Sequence, residues 1–120
     1  MGLTHVSVTL RPLPKSKKKY KDVFLVDTGA TDSMAPGKRL KKADIRPVGK
    51  MAYELSNGTT VEYSFGLAVI EFMGEITSGR IIFGPADAEP LLGETALESV
   101  GIIVDPASQR LKRLPAIPLK

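Results

Sequence analysis

Short apolar stretches with a period of two dominate this sequence and restrict it to a fold built mainly from strands. Val6, Val8 and Leu10 alternate with polar residues, which predicts a half-buried strand. The continuous apolar run over 23–26 predicts a second strand, buried on both faces. Further strands are predicted over 51–55, 59–63, 67–72, 80–83, 102–104 and 111–114. The sequence therefore predicts an all-β fold, a small closed β-barrel.

Turn-forming residues separate the predicted strands. Asn57 and Gly58 lie between two strand segments, and this pair is a strong hairpin signal because both residues tolerate the positive φ of a tight turn. A helical pattern occurs only over 94–100, and Gly101 follows it as a C-terminal stop. Loops are predicted over 27–36 and 74–79. The barrel is therefore expected to carry one short C-terminal helix.

The length and composition restrict the class of protein. A chain of 120 residues fits one domain, which we take to span residues 1–120. The chain contains no cysteine, so disulfides, thiolate metal sites and cysteine nucleophiles are excluded. No apolar run approaches the length that spans a bilayer, and residues 1–5 lack the pattern of a signal peptide. We therefore expect a soluble cytoplasmic protein with no membrane partner.

The net charge of +4 is unevenly spread, with two basic clusters in the first half of the chain. The clusters are formed by Lys15, Lys17, Lys18, Lys19 and Lys21, and by Lys38, Arg39, Lys41 and Lys42. Such clusters attract nucleic acid or anionic surfaces. A solvated loop and a solvated turn are the favoured interpretation, since Tyr20 is the only aromatic residue among them. Nucleic-acid attachment, which would weaken steeply as salt rises, is less favoured.

Few residues in this chain can carry chemistry. His5 is the single histidine and has no partner visible in the sequence, so a serine-histidine hydrolase has little support. The carboxylates lack metal-ligand spacing and no phosphate-binding loop occurs, so we expect no metal and no cofactor. The tripeptide Asp27-Thr28-Gly29 remains, at the end of a buried strand, where loop N–H groups can hold the carboxylate. By itself the tripeptide is also compatible with a simple Asp-initiated turn.

Four segments, in the right order, resemble the retropepsin-like aspartic proteases of clan AA. They are the segment 24–30 with its Asp-Thr-Gly motif, the hairpin 56–59 at the position of the family's flap, the apolar-apolar-Gly element 90–93, and the helix and strand that end over 101–105. The resemblance covers residues 4–114. It makes a turn without catalytic function the less favoured interpretation of Asp27.

The resemblance implies an aspartic endopeptidase that acts on extended peptide or protein segments. One Asp-Thr-Gly per chain implies a homodimer, in which two copies of Asp27 share one proton and activate a water. Thr28 would hold the two loops together, and Gly29 would let the backbone approach the carboxylate and the substrate. The substrate-binding residues implied by family position are Ala30, Thr31, Asp32, Ser56, Asn57, Gly58, Thr59, Leu91 and Leu92.

The sequence departs from the retroviral pattern at several positions. Where the viral enzymes pair an Arg with an Asp, this chain has Glu94 and Thr31, which suggests a non-viral branch. Asp32 is interpreted as a surface charge more readily than as a substrate ligand. Prolines in the segment 114–118 put the viral packing of the termini in doubt. A non-catalytic module that binds a peptide on the same dimeric fold is the alternative function.

Overall fold

The computed structural model describes residues 4–119; the predicted domain also includes residues 1–3 and 120, which lie outside this range. The strands are β1 (His5–Arg11), β2 (Tyr20–Asp27), β3 (Ser33–Pro36), β4 (Pro47–Glu54), β5 (Thr60–Phe72), β6 (Glu75–Gly84), β7 (Leu91–Gly93), β8 (Ile102–Val104) and β9 (Leu111–Arg113). The helices are α1 (Gly37–Lys42) and α2 (Glu94–Ser99). No helix in the described range is long and apolar enough to cross a membrane.

Six of the strands close into a barrel. Their order is β1-β2-β7-β3-β6-β5, and β5 pairs back onto β1. Most pairs are antiparallel, but β2 runs parallel to β7 and β3 runs parallel to β6. The strands β8 and β9 form a separate antiparallel pair. The prediction of a small closed all-β barrel is therefore confirmed.

The strand β4 lies outside the barrel and pairs with β5 to form a long hairpin. Its register shifts between Pro47 and Gly49, which marks a bulge near the start of the strand. The only partner of β4 within residues 4–119 is β5, so its outer edge is open. The hairpin thus extends from the barrel as an arm with one free edge.

The barrel encloses one apolar core. Its side chains come from the inward faces of the strands, from both helices and from the segment between α1 and β4. The fully buried members include Val8, Leu10, Phe24, Leu40, Ile45, Ile70, Ile81, Leu92, Leu97 and Ile102. The alternation predicted for β1 is confirmed, since Val8 and Leu10 are buried while the intervening residue is not.

The strand β2 differs from the sequence prediction. Phe24 is fully buried, but Val23 is 55% exposed and Leu25 and Val26 are only half-buried. The prediction that this strand is buried on both faces is therefore wrong for the single chain. The physical reason is that the core lies on one side of β2, and a continuous apolar run does not reveal that.

Two further elements were not predicted. The range 27–36, predicted as a loop, contains β3, and the lysine-rich segment after it forms α1. The expectation of a single helix is therefore wrong.

The predicted loop over 74–79 is also wrong, because β5 and β6 are joined by only Met73 and Gly74. The C-terminal helix is confirmed, and Gly101 ends it with a φ of 71°.

We expect Phe24→Ala to lower the free energy of unfolding by about 3–5 kcal/mol, because it opens a cavity in the core. Val23→Ala, on the exposed face of the same strand, should change it by less than about 1 kcal/mol. Urea denaturation at fixed protein concentration measures both. Equal effects of the two substitutions would contradict the one-sided burial of β2.

Candidate active site

The Asp-Thr-Gly segment and the 90–93 element, far apart in sequence, are neighbours in the barrel. The parallel pairing of β2 and β7 places Leu25 opposite Leu91 and Asp27 opposite Gly93. The N–H of Leu25 also donates to the carbonyl of Pro90 at 2.9 Å. The Asp-Thr-Gly motif and the apolar-apolar-Gly element therefore lie side by side at the same end of the barrel.

The loop that follows β2 holds the carboxylate of Asp27. The N–H of Gly29 donates to Oδ1 of Asp27 at 2.9 Å, and the N–H of Ala30 donates to the backbone carbonyl of Asp27 at 3.1 Å. A Cβ at position 29 would lie 3.2 Å from the same Oδ1, so any side chain there would crowd the carboxylate. Asp27 is half-buried, while Thr28 and Gly29 are exposed. The arrangement presents one oriented carboxylate to solvent.

The start of α2 fixes the far side of this loop. The N–H groups of Glu94 and Thr95, at the helix N-terminus, donate to the carbonyls of Ala30 and Thr31 at 2.8 and 3.2 Å. These are N–H groups that a helix cannot satisfy internally. The N–H of Gly93 donates to Oγ of the buried Ser33 at 2.9 Å. Residues 27–33, which we call the aspartate loop, are therefore bonded to β7 and α2 along their length.

Asp32 is not a free surface charge. It is half-buried, and its Oδ2 accepts a 2.7 Å hydrogen bond from the hydroxyl of Tyr53 on β4. The surface interpretation drawn from the sequence is therefore wrong. The reason is that the partner of this loop residue lies 21 residues further along the chain, on β4, and no local pattern indicates such a contact.

A cluster of side chains surrounds this hydrogen bond. Burial, and then the hydrogen bond to Asp32 and its charge, raise the pKa of Tyr53 to about 12, and Arg80 opposes the rise. The guanidinium of Arg80 lies 4.5 Å from the centre of the Phe65 ring and donates to Sδ of Met51. The cluster joins the aspartate loop to β4, β5 and β6. No local feature of the sequence marks Tyr53 and Arg80 as members of this site.

We expect Tyr53→Phe to speed amide hydrogen exchange in the β4–β5 hairpin by about fivefold or more. The substitution keeps the ring but removes the hydrogen bond that ties β4 to the aspartate loop, a loss of about 1 kcal/mol or more. Tyr63→Phe is the matched control, since that ring lies on β5 of the same hairpin, 6.3 Å from Tyr53. Equal exchange in the two variants would show that the Tyr53–Asp32 bond does not restrain the hairpin.

The hairpin tip forms as the sequence predicts, although with a longer turn. The N–H of Gly58 donates to the carbonyl of Leu55 at 2.9 Å, and Gly58 has a φ of 86°. The side-chain oxygen of Asn57 accepts hydrogen bonds from the N–H and the hydroxyl of Thr59. Positive φ is needed at Gly58 alone and not at Asn57, because five residues connect the strands. Residues 55–59 are exposed, Ser56 included.

The remaining predicted site residues fall into different environments. Leu91 is half-buried beside β2, whereas Leu92 is fully buried in the core. The prediction that Leu92 contacts substrate is therefore wrong, because successive residues of β7 face opposite sides. Thr28 borders an open groove of about 400 Å³, which α2 and β8 also line. No group of three or more potential metal-ligating side chains occurs among residues 4–119.

The six-stranded barrel, the aspartate loop on β2 and the hairpin outside the barrel define the retropepsin-like protease fold. Solved structures with this fold include the Simian Foamy Virus (mac) protease, with a TM-score of 0.54 and 19% identity over 78% of this chain and 91% of that chain. Another is the EIAV protease complexed with the inhibitor HBY-793, with a TM-score of 0.62 and 18% identity over 83% of this chain and 89% of that chain. No protein-family model matches the sequence, and neither does any curated protein.

Proposed function

We propose that this chain is one subunit of a homodimeric aspartic endopeptidase, of a branch distinct from the retroviral enzymes. The observation that carries the proposal is the carboxylate of Asp27, held by the N–H of Gly29 at the end of β2 in a chain with the retropepsin-like fold. Fold alone does not determine function, so the proposal rests on this arrangement together with the fold. The pair of Glu94 and Thr31 in place of an Arg and an Asp motivates the assignment to a separate branch.

The proposed chemistry needs two copies of Asp27, one from each chain across a two-fold axis. Two carboxylates about 3 Å apart cannot both ionise, so the dyad holds one proton. The ionised Asp27 removes a proton from a water molecule while the oxygen of that water bonds to the scissile carbonyl carbon. The protonated Asp27 of the partner subunit donates its proton to the carbonyl oxygen. As the resulting diol collapses and the C–N bond breaks, the Asp27 that took the water proton donates it to the leaving nitrogen. A diol hydroxyl returns a proton to the partner's Asp27, so the dyad again holds one proton.

The same proposal assigns the substrate to the space between the aspartate loop and the hairpin. An extended peptide would pair with main-chain groups of the loop at Ala30 and Thr31 and of the hairpin tip at residues 56–59. Leu91, half-buried next to Asp27's strand, would contact a substrate side chain. Asp32 would influence the substrate through Tyr53, since one carboxylate oxygen of Asp32 already accepts a hydrogen bond from the hydroxyl of Tyr53.

A peptide digest tests the proposal. Wild-type protein at high concentration, which favours the dimer, is incubated with a complex peptide mixture from acidic to neutral pH. Cleavage products are identified by mass spectrometry, and the Asp27→Asn variant, treated in the same way, is the control for cleavage by contaminants. We expect wild-type-specific cuts with a maximum at intermediate pH, because neither the doubly protonated nor the doubly ionised dyad is active.

The absence of such cuts, from a protein shown to be folded and dimeric, would overturn the peptidase proposal. Peptides that the wild type and Asp27→Asn retain equally well, without products, would instead support a non-catalytic peptide-binding module. Equilibrium retention of the mixture on immobilised protein distinguishes that outcome from a protein that binds no peptide.

A further inference from the structure

The two basic clusters that are separate in the sequence come together in the structure. The first lies on residues 15–22 and the second on residues 37–46, which include α1. Nζ of Lys18 in the first segment lies 3.4 Å from Oδ2 of Asp44 in the second. Arg46 lies 3.4 Å from the other oxygen of Asp44. One acidic side chain therefore joins cations from both segments. We call the two segments, 15–22 and 37–46, together the basic surface.

A second observation connects the same two segments. Tyr20, at the start of β2, is buried, and burial raises its pKa. Arg39 of α1 is close enough that its charge opposes this rise. The helix α1 therefore lies against the end of β2 at which the first cluster ends.

The basic surface contains far more charge than the chain as a whole. Each of the two segments has five Lys or Arg residues and one Asp, so each has a net charge of +4 and the two together have +8. Because the whole chain has a net charge of +4, the other residues have a net charge of −4. All ten cations of the surface are exposed. The molecule is therefore electrically polarised, and the positive end will attract polyanions.

The shape of the basic surface favours phosphate contacts over membrane insertion. Leu40 is fully buried and attaches α1 to the core, so Lys38 and Lys42 face solvent on the opposite side of the helix. A helix whose one apolar side chain is already buried has no apolar face to insert into lipid. Tyr20 is only 7% exposed, so neither segment offers an aromatic ring on which a base can stack.

We propose that the basic surface binds the phosphate backbone of nucleic acid without reading its sequence. The proposal differs from the interpretation of the sequence alone, which favoured a solvated loop and a solvated turn, because only the fold brings the two clusters onto one surface. The surface lies at the Tyr20 end of β2, and Asp27 is at the other end, roughly 23 Å away for seven strand steps. Nucleic-acid binding and peptide cleavage would therefore use different ends of the molecule. The proposal does not depend on the peptidase.

Fluorescence anisotropy with a labelled 20-nucleotide oligouridylate RNA tests the proposal, in the Asp27→Asn background. We expect the logarithm of the association constant to fall linearly with the logarithm of the salt concentration. The slope should be about −3 or steeper, which corresponds to contacts with about four or more phosphates. Binding would then weaken about 60-fold between 50 and 200 mM NaCl. An oligoadenylate of the same length should bind with the same slope.

Three double variants with equal loss of charge locate the site. Lys17→Gln/Lys19→Gln changes the first segment, Lys41→Gln/Lys42→Gln changes α1, and Arg110→Gln/Lys112→Gln is the matched control away from both. Each of the first two should weaken binding about tenfold at 50 mM NaCl and reduce the magnitude of the slope by about 1.4, since two phosphate contacts are lost. The control should change affinity less than about twofold.

Several results would overturn the proposal. Absence of binding by the parent protein at 50 mM salt would do so directly. An equal effect of the control pair would show a response to net charge alone. An effect of the first segment without one of α1 would show that the two clusters do not act as one surface. Co-sedimentation with phosphatidylserine vesicles, without RNA binding, would assign the surface to a membrane.

Discussion

Replacing Asp27 by asparagine is expected to abolish peptide cleavage while leaving the fold intact. The carboxamide keeps the shape of the side chain, and its oxygen can still accept the hydrogen bond from the N–H of Gly29. It cannot ionise, so neither member of the dyad can take a proton from water. Because the change removes general base and general acid together, we expect kcat/KM to fall about 10⁴-fold or more. Asp87→Asn, at an exposed position between β6 and β7, is the matched control and should cleave like the wild type.

Subunit mixing tests whether both copies of Asp27 take part. In a one-to-one mixture of wild type and Asp27→Asn that exchanges freely, about a quarter of the dimers keep two aspartates. Activity per wild-type chain should therefore fall to about half of its value before mixing. Unchanged activity per wild-type chain, with exchange verified by native mass spectrometry, would show that one Asp27 is sufficient and would contradict the shared dyad.

Gly93→Ala is expected to lower both stability and activity, because the new methyl group has no space. Its Cβ would lie 2.7 Å from the carbonyl carbon and oxygen of Asp32 and 2.8 Å from the carbonyl oxygen of Thr31. These are backbone atoms, so the aspartate loop must move away from β7. We expect a loss of about 1–3 kcal/mol in the free energy of unfolding. A displacement of about 1 Å in the loop should lower kcat/KM about 100-fold.

Gly79→Ala is the control for this substitution. A Cβ at position 79 on β6 would meet no described atom within 4 Å, so both stability and cleavage should remain close to wild type. Denaturation and kcat/KM are measured on the same preparations of each variant. Wild-type values for Gly93→Ala would show that the aspartate loop has room to adjust without cost, and that its contact with β7 does not position Asp27.

The sequence predicted the parts of the fold that local periodicity controls. The alternation in β1, the hairpin at Gly58 and the helix that ends at Gly101 each depend on neighbouring residues and were found where expected. The strand β3 was missed because its pairing partners are β6 and β7, about fifty residues or more further along the chain. The helix α1 was missed because Leu40 is its only buried residue, which gives no periodic signal.

The candidate site was predicted in the same uneven way. The position of Asp27 at the end of β2 follows from the apolar run before it, and the resemblance assigned Leu91 of the 90–93 element to the same site. The burial of Leu92 depends on which face of a three-residue strand points inward, and so short a strand contains no information on that. The bond between Tyr53 and Asp32 depends on how the hairpin leans over the barrel, which is a property of the assembled sheet.

The open outer edge of β4 has a consequence for how this protein behaves when concentrated. Unpaired strand edges are templates on which identical molecules can polymerise. Here Pro47 lacks an N–H, the bulge before Gly49 bends the strand, and Lys50 and Glu54 place charges along it. The uninterrupted part of the edge is therefore only a few residues long. We therefore expect the concentrated protein to resist edge-to-edge polymerisation through β4.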